Sequence, residues 1–306
     1  MARNNQEMYE AITQKIVTML EQGNIPWHKP WTIDSNGNPN LPANFKTRKA
    51  YRGINIWLLS VNQYSSPYWL TFKQLLDMGG RLKEGQKGTE IFFYDVVKKT
   101  ARDSEGNAMI NENGEVVKTS FPLLKNFWVF NSEQTIGLPE RKSNLIAIPE
   151  KKFSTIDACE NIINNFANRP SVSFGGDRAC YSPSFDSITM PRLEQFTNAE
   201  GFYATYFHEL THSTGHANRL KRDGIVKFNG FSSHQYSEEE LVAEMGASYL
   251  TAISGIQNSE ILENSAAYLE NWLSAIKSDV SLLMKAAGKA QKASDMILGI
   301  EFKAVA

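Results

Sequence analysis

The chain has 306 residues, enough for two domains that each bury a core, and its 42% hydrophobic and 21% charged residues are typical of globular proteins. Two cysteines, Cys159 and Cys180, exclude a disulfide framework, and the lack of a signal peptide or an 18-residue apolar run predicts a cytoplasmic protein without membrane spans. The net charge of −1 hides an asymmetry: residues 1–130 carry 16 Lys+Arg against 12 Asp+Glu (+4), and residues 131–306 carry 16 against 21 (−5).

The first predicted element is a helix that ends at Gly23, because its apolar residues recur every three or four positions. These apolar residues are Met8, Ile12, Ile16, Met19 and Leu20. An irregular segment follows, in which Trp27 and Trp31 stand among prolines. Two tryptophans in such a segment are consistent either with a small apolar cluster or with a platform on which unpaired bases stack.

Residues 44–55 alternate cations with aromatic rings. Cations hold phosphates and flat rings stack on unpaired bases, so this combination is typical of single-stranded nucleic acid binding. A run of charge is also a common solvated face, and the residues alone leave both interpretations open. A glycine-rich loop at residues 79–88 adds three cations but has no P-loop pattern. The candidate DNA-binding residues are Trp27, Trp31, Lys46, Arg48, Lys49, Tyr51, Arg52, Asn55, Arg81, Lys83 and Lys87.

Two predicted strands, at residues 89–97 and 121–130, are rich in β-branched and aromatic residues and are expected to pair. The polar residues 102–118 between them contain two turn signals and predict a long exposed hairpin arm. Polar residues with two prolines at 134–152 predict an inter-domain linker. The predicted domains are therefore residues 1–133 and residues 153–306.

The second predicted domain opens with a helix near residues 154–168, followed by a hairpin at residues 179–190. A strand at the edge of such a hairpin would let a substrate peptide add beside it. Two amphipathic helices, around residues 265–278 and 280–296, close the chain and are expected to contribute to the core.

Between the hairpin and the closing helices lies a His-Glu-x-x-His motif, with His208, Glu209 and His212. Residues four apart on a helix lie on one face about 6 Å apart, so both imidazoles can face one cation. Catalytic zinc takes such ligands and leaves a position for water. Glu209 would lie beside that position, where it can act as general base in hydrolysis. A capping box at residues 197–200, an apolar face and Gly215 predict the bounds of the motif helix.

A third protein ligand has to come from elsewhere in the chain. His216 would lie about 12 Å of rise beyond His208 on a continuing helix, too far to share one ion. A second helix at residues 236–250 places Glu240 and Glu244 on one face, and two histidines with a glutamate form a known catalytic zinc site. We predict Glu240 as the ligand and Glu244 as a residue that orients a ligand histidine. Glu240 could instead serve only as a helix cap, which leaves Glu244, with His216, as an alternative ligand.

Short sequence pieces spread over nearly the whole chain carry a family resemblance. The pieces are Pro26-Trp27 with Pro30-Trp31, Tyr51-Arg-Gly-Ile-Asn55, Trp69-Leu-Thr-Phe-Lys-Gln74, Gly79-Gly80, Lys87-Gly88, Gly175-Gly-Asp-Arg-Ala179, Tyr181-Ser-Pro183, His208-Glu-Leu-Thr-His212 through His216, and Glu239-Glu-Leu-Val-Ala-Glu244. In this order they resemble the ArdC-type antirestriction proteins of conjugative plasmids and other mobile elements. The polar arm at residues 102–118 has no matching piece, so the resemblance assigns it no role.

The resemblance implies an α+β fold with two domains: an N-terminal single-stranded DNA-binding domain and a C-terminal zincin-like metallopeptidase domain. It also implies protection of incoming DNA from host restriction, with single-stranded DNA as a partner. The expected cofactor is one Zn²⁺, or another divalent metal, per chain.

Two hypotheses about function follow. In the first, the protein is a metallopeptidase that single-stranded DNA brings to its substrate, which could be the host restriction machinery or a DNA-bound protein. In the second, it is a DNA-binding shield with a structural metal site. The intact Glu209 favours the first, because a structural site has no need of a base.

Overall fold

The computed structural model describes residues 4–27, 32–33, 39–62, 64–103, 105–112, 114–139, 155–227, 234–256 and 272–300. Helices and strands are mixed, and an N-terminal region (residues 4–139) precedes a C-terminal region (residues 155–300), which confirms the α+β class. The helices are α1 (Asn5–Glu21), α2 (Ile54–Ser60), α3 (Phe72–Asp77), α4 (Thr155–Asn165), α5 (Ala199–Ser213), α6 (Asp223–Val226), α7 (His234–Ser254), α8 (helical residues 272–278) and α9 (Leu282–Ile297). The strands are β1 (Thr32–Ile33), β2 (Pro39–Asn40), β3 (Ala43–Asn44), β4 (Tyr68–Thr71), β5 (Arg81–Leu82), β6 (Thr89–Thr100), β7 (Lys118–Asn131), β8 (Thr135–Ile136), β9 (Ser171–Phe174), β10 (Cys180–Ser182) and β11 (Ser187–Met190).

The first helix forms as its sequence predicts. Asn4 and Glu7 cap it reciprocally: the side chain of each accepts a hydrogen bond from the backbone N–H of the other, both at 2.9 Å. Gly23 follows the helix with a φ of 75°, a left-handed conformation that glycine adopts without strain. The apolar face of α1 is buried, with Ile12, Ile16 and Leu20 fully enclosed.

The N-terminal region is built on a four-stranded sheet in the order β3-β4-β7-β6. Strands β6 and β7 pair antiparallel from Thr89↔Val129 to Thr100↔Lys118, which confirms the predicted hairpin. The polar arm beyond them is exposed and turns at two glycines, Gly106 and Gly114, which both have positive φ. The arm therefore has the exposed, turn-rich form that its composition predicts.

The linker predicted for residues 134–152 begins too early. Thr135 and Ile136 form β8, which pairs with β5, and the side chain of Gln134 donates a hydrogen bond to the carbonyl of Lys87 at 2.9 Å. These residues belong to the N-terminal region because they pair with β5 and bond the loop before β6. Residues 140–152 lie outside the described part of the chain.

The C-terminal region packs helices against a three-stranded sheet in the order β10-β11-β9. The hairpin predicted at residues 179–190 is confirmed as β10 and β11, which pair antiparallel. Helices α5 and α7 pack against each other, and α9 packs on α7. Among the residues described, no helix combines the length and the apolar character needed to cross a membrane.

The largest hydrophobic cluster draws residues from both regions. It joins the apolar face of α1 and residues of α2 with residues of α7, α8 and α9. Trp27 lies 6.2 Å from Trp57 and 5.7 Å from Trp272 between ring centroids, and Trp57 stacks on Tyr249 of α7 at 5.0 Å. The two regions therefore share a core, although each also has smaller clusters of its own.

Candidate metal centre

Helix α5 carries the His-Glu-x-x-His motif and begins one residue later than predicted. Its N-cap is Asn198 instead of Thr197, and the Asn198 side chain accepts a hydrogen bond from Gly201 N at 2.7 Å. The apolar side of α5 is buried in the C-terminal core through Phe202, Tyr203, Tyr206, Phe207 and Leu210. This packing fixes the helix, so that its last turns face a cleft of about 920 Å³.

Gly215 comes directly after α5, but its role is not to form a left-handed turn. A Cβ at this position would lie 2.6 Å from Ile225 Cγ1 and 3.0 Å from Arg222 Nη2. Glycine therefore allows Arg222 and Ile225, at the start of α6, to pack closely against the residues that follow the motif helix.

The nitrogens of His208 and His212 and the carboxylate of Glu240 converge in this cleft. The Nε2 atoms of His208 and His212 are 3.1 Å apart. Glu240 Oε2 lies 3.6 Å from His208 Nε2, and Glu240 Oε1 lies 3.4 Å from His212 Nε2. Within the described residues, these three side chains form the group that could hold a metal ion. We call them the ligand cluster.

The spacing of the ligand cluster fits a tetrahedral ion. Donor atoms that each lie about 2.0–2.1 Å from such an ion are about 3.3–3.4 Å from one another. The two Nε2 atoms are 3.1 Å apart, and each lies 3.4–3.6 Å from one of the two Glu240 oxygens, Oε2 for His208 and Oε1 for His212, so the separations are close to that value. Two imidazoles and one carboxylate also form a donor set that suits zinc and related divalent ions.

The other ring nitrogen of each histidine faces a second carboxylate. His208 Nδ1 is 3.7 Å from Glu244 Oε1, and an orienting role for Glu244 stays a prediction. His212 Nδ1 is 3.2 Å from Glu239, a residue that the sequence reasoning did not single out. Carboxylates in this position fix the tautomer and direction of ligand imidazoles.

Glu239 is itself held by Arg222, which the sequence reasoning also did not single out. The Arg222 guanidinium donates two hydrogen bonds to Glu239, at 2.8 and 2.6 Å, and a third to the carbonyl of Thr211 at 2.8 Å. Both side chains of this ion pair are only 4% exposed. The run of three glutamates at the start of α7 was the available signal for Glu239, whereas no motif marks Arg222.

Burial and mutual contact set the charge of the ligand cluster. Burial disfavours the charged forms of His208 and His212, but contacts with Glu240 and its neighbours outweigh it and raise the pKa of both histidines. Burial also disfavours the Glu240 carboxylate, yet His212 and His208 hold its pKa well below its usual range. The Glu240 carboxylate is thus favoured in its ionised form, which is the form that binds a cation.

Burial has the opposite outcome at Glu244, where it is the largest influence and raises the pKa of that carboxyl. At Glu239, burial is again the largest influence, but the hydrogen bonds from Arg222 and His212 outweigh it and lower the pKa. The pKa values of the two carboxyls beside the histidines are therefore shifted in opposite directions, upward for Glu244 and downward for Glu239.

Glu209 lies on the cleft wall with its carboxylate oriented by the neighbouring strand. The backbone N–H of Tyr181, in β10, donates to Glu209 Oε2 at 2.7 Å. Tyr181 is in turn anchored, because its hydroxyl donates to Asp186 at 2.9 Å and Asp186 pairs with Arg219. The edge strand and the motif helix are thus fixed to each other at the carboxylate.

His216 also lines the cleft but stands outside the ligand cluster. Helix α5 ends at Ser213, and His216 Nδ1 accepts a hydrogen bond from the backbone N–H of Asn218 at 3.3 Å. The idea of His216 as an alternative ligand is therefore not supported by the geometry of the described residues.

The candidate DNA-binding residues separate into two groups, and the first is built into the fold. Trp27 is only 1% exposed in the shared core, so its proposed role as a stacking platform is wrong and the apolar-cluster alternative is right. The side-chain amide of Asn55 bonds both the carbonyl and the N–H of Phe92, at 2.7 and 2.8 Å, along the outer edge of β6. Its amide is thus occupied, which corrects the DNA-binding assignment of Asn55. Trp31 lies outside the described residues.

Three more members of this set have protein partners. Arg52 forms an ion pair with Asp295 of α9, so it links the two regions. The guanidinium of Arg48 lies 4.8 Å above the ring of Tyr68 and bonds its hydroxyl. Tyr51 is half-buried, and burial raises its pKa. Phosphate contact by the two arginines would have to compete with these interactions.

The second group stands in solvent. Its members are Lys46, Lys49, Arg81, Lys83 and Lys87. All five lie in turns, loops or short strands of the N-terminal region, and their exposure leaves them available to an anionic partner. Their role in DNA binding stays a prediction.

Comparisons with known proteins agree with both regions. Residues 157–289 match the family model of a zincin-like metallopeptidase, and residues 6–130 match that of the N-terminal domain of the anti-restriction factor ArdC. The metal-free crystal structure of antirestriction protein ArdC from plasmid R388 is 34% identical, with a TM-score of 0.70 over 94% of this chain and 96% of that one. The Mn(II)-bound structure of the same protein is 33% identical, with a TM-score of 0.70 over 95% and 97% of the two chains.

Two further relatives differ in how much of their length this chain covers. A DNA primase TraC from Escherichia coli is 34% identical over 100% of this chain, but the match covers 28% of the primase. An uncharacterized protein from Sinorhizobium fredii is 28% identical over 94% of this chain and 91% of its own length. This chain therefore spans little more than a quarter of the length of the primase.

Proposed function

Because this chain belongs to the ArdC family of antirestriction proteins, we propose that it protects the DNA of a mobile element by binding single strands and hydrolysing a protein. The N-terminal region would bind the DNA, and the ligand cluster would hold one Zn²⁺ or another divalent ion per chain. The Mn(II) in the R388 relative supports a divalent ion. The protein substrate would be part of the host restriction machinery or another DNA-bound protein.

The observation that carries the peptidase proposal is the position of Glu209. It follows the first histidine of the ligand cluster, lines the same cleft, and has one carboxylate oxygen held by Tyr181 N–H. A purely structural metal site has no use for such a carboxylate. A base beside an open cleft is what hydrolysis of a bound substrate requires.

Several residues of the chain would each have a separate role in hydrolysis. A bound divalent ion supplies Lewis-acid activation of water and of the scissile carbonyl. Glu209 takes a proton from the attacking water and returns it to the leaving amine, acting as general base and then general acid. The Tyr181 N–H fixes one oxygen of Glu209 and leaves the other for the proton. Glu239 and Glu244 would keep the two imidazoles directed at the position of the ion.

The edge strand β10 supports a peptide as the substrate. Among the strands that the structure describes, it lies at the outer edge of its three-stranded sheet, and residues 178–184 line the cleft. An extended peptide can add to such an edge through main-chain hydrogen bonds, which here would come from backbone groups other than the Tyr181 N–H that Glu209 already accepts. A peptide bound there would pass directly over Glu209 and the ligand cluster.

The proposal is tested by incubating the zinc-loaded full-length protein with candidate restriction subunits, with and without single-stranded DNA. We expect cleavage that is faster with DNA. Glu209→Gln should lower cleavage about 10²–10⁴-fold, since glutamine keeps the shape but cannot accept the proton. Metal content and DNA affinity should not change. Glu200→Gln, on the first turn of the same helix, is the matched control and should cleave like wild type.

The alternative is a DNA-binding shield with a structural metal site. It predicts no cleavage by either protein and equal protection of incoming DNA by wild type and Glu209→Gln. Equal cleavage by wild type and Glu209→Gln would instead exclude Glu209 as the base.

A further inference from the structure

Several large aromatic side chains are exposed on the N-terminal sheet and on the helix that follows β4, and two of them lie near each other. Phe72, the first residue of α3, is 49% exposed, and Trp128 of β7 is 53% exposed. Tryptophan and phenylalanine are mostly buried in globular proteins, as Trp27 and Trp57 are here. Exposed rings that lie close together indicate a contact surface.

These two rings are connected through Phe130, which is half-buried between them. The ring centroids of Phe72 and Phe130 are 6.3 Å apart. A Cβ added to Gly88 would lie 3.1 Å from Phe130 Cζ and 3.4 Å from Trp128 Cε3, so the Gly88 backbone lies against both rings. Phe72, Phe130 and Trp128 therefore form one continuous surface, which we call the aromatic strip.

Two exposed lysines are next in sequence to residues of or beside the aromatic strip. Lys73 follows Phe72, Lys87 precedes Gly88, and both lysines are exposed. Hydrogen bonding of the Lys87 carbonyl to Gln134, at 2.9 Å, fixes the loop beside the strip. The cross-strand neighbour of Trp128 is Glu90, but that carboxylate is only 3% exposed and is bonded to Asn126 at 2.8 Å. It therefore puts little negative charge on the surface.

We propose that the aromatic strip is the surface on which unpaired bases stack, with Lys73 and Lys87 contacting the phosphates. This rests on the single-stranded DNA binding proposed above and assigns that binding to specific side chains. Rings supply sequence-tolerant stacking and lysines supply phosphate contacts. The bases of a duplex are already stacked and paired, so their faces are not available to the strip.

The strand supplies a matched control. Neighbouring residues of a strand point to opposite faces, so Phe127, which is 44% exposed, projects away from the face that carries Trp128. Trp128→Ala and Phe127→Ala thus remove an exposed ring at adjacent positions, one on the strip and one off it. Because both side chains are exposed, the melting temperatures of both variants should stay close to wild type.

Binding of the full-length protein to a labelled oligodeoxythymidine, followed by fluorescence anisotropy, tests the proposal. Trp128→Ala and Phe72→Ala should each weaken binding roughly five-fold or more, as the loss of a stacking ring does. The slope of log affinity against log salt should not change, since no charge is removed. Phe127→Ala should bind like wild type, and Trp128→Phe, which keeps a ring, should retain most of the affinity.

The outcomes separate this proposal from the function on which it rests. No binding of single strands by wild type would contradict the DNA-binding function itself. If Trp128→Ala and Phe72→Ala bound single strands as tightly as wild type, the role of the aromatic strip would be contradicted, but the DNA-binding function would not. Loss of binding in Phe127→Ala, without loss in Trp128→Ala, would move the bases to the opposite face of the hairpin.

Discussion

The ligand cluster and the exposed lysines of the N-terminal region use charge in opposite ways. At the cluster, His212 and Glu240 are buried and His208 is half-buried, and each has a partner within 4 Å. Lys46, Lys49, Lys83 and Lys87 of the N-terminal region stand in solvent, where each is a nearly independent charge. A single substitution should therefore disrupt the first region severely and the second only slightly.

The largest effect is expected at the third metal ligand. Glu240→Gln should weaken metal binding more than about 100-fold, beyond the 10–100-fold typical of residues that only support a ligand. Metal content after dialysis and calorimetric titration would measure it. Glu244→Gln is the control on the same helix face and should lose less, because Glu244 faces His208 Nδ1 and not the cluster. The reverse ranking would make Glu244 the ligand.

The next largest effect is expected at Glu239. Glu239→Gln should lower metal affinity about 10–100-fold, because His212 loses the carboxylate that orients it. It should also lower the free energy of unfolding by about 3–5 kcal/mol, since the buried Arg222 loses its partner. Glu238→Gln removes a more exposed ion pair with Lys289 and should change the stability by about 1 kcal/mol or less. If Glu239→Gln and Glu238→Gln lowered the free energy of unfolding by the same amount, the contrast between buried and exposed charge would be contradicted.

The contribution of Glu239 to stability should also depend on pH. Its pKa is lowered in the folded protein, so its stabilisation is present above the unfolded value of about 4.3 and is lost as the pH falls through the folded value. The difference in melting temperature between wild type and Glu239→Gln should therefore be full at pH 7 and shrink below about pH 4. A difference that stays constant down to pH 3 would mean that the ion pair is not its source.

The smallest effects are expected from the exposed lysines. Lys46→Ala and Lys49→Ala should each reduce single-stranded DNA affinity only a few-fold, and the log–log salt slope should flatten by about 0.7 for each phosphate that is no longer neutralised. Melting temperatures should not change. Full loss of binding by either variant would show that this surface is a specific site and not a set of independent charges.

The sequence predicted the parts of the site that depend on local spacing. His208 and His212 are four residues apart on one helix, and their convergence follows from helix geometry. The position of Glu240 was predicted from the same spacing rule on a second helix. Arg222 escaped prediction because it reaches Glu239 only through the path of the loop after α5, which no periodicity encodes.

The N-terminal region was harder to predict because its residues depend on burial. Trp27 looks like a free ring in the sequence, yet the helices of the C-terminal region enclose it. Trp128 looks like an ordinary strand residue, yet it is exposed, although Leu124 on the same face of the same strand is buried. Composition indicates that a ring is present, but only tertiary packing decides whether a ligand can reach it.

The shared core makes the two regions one thermodynamic unit. Tyr249 stacks on Trp57 from the same helix that presents Glu240 to the ligand cluster, so α7 belongs equally to the metal centre and to the packing of the N-terminal region. A fragment that stopped after residue 139 would expose to water the faces of α1 and α2 that α7, α8 and α9 now cover. Unfolding should therefore be cooperative across both regions, and the stability of each region depends in part on the other.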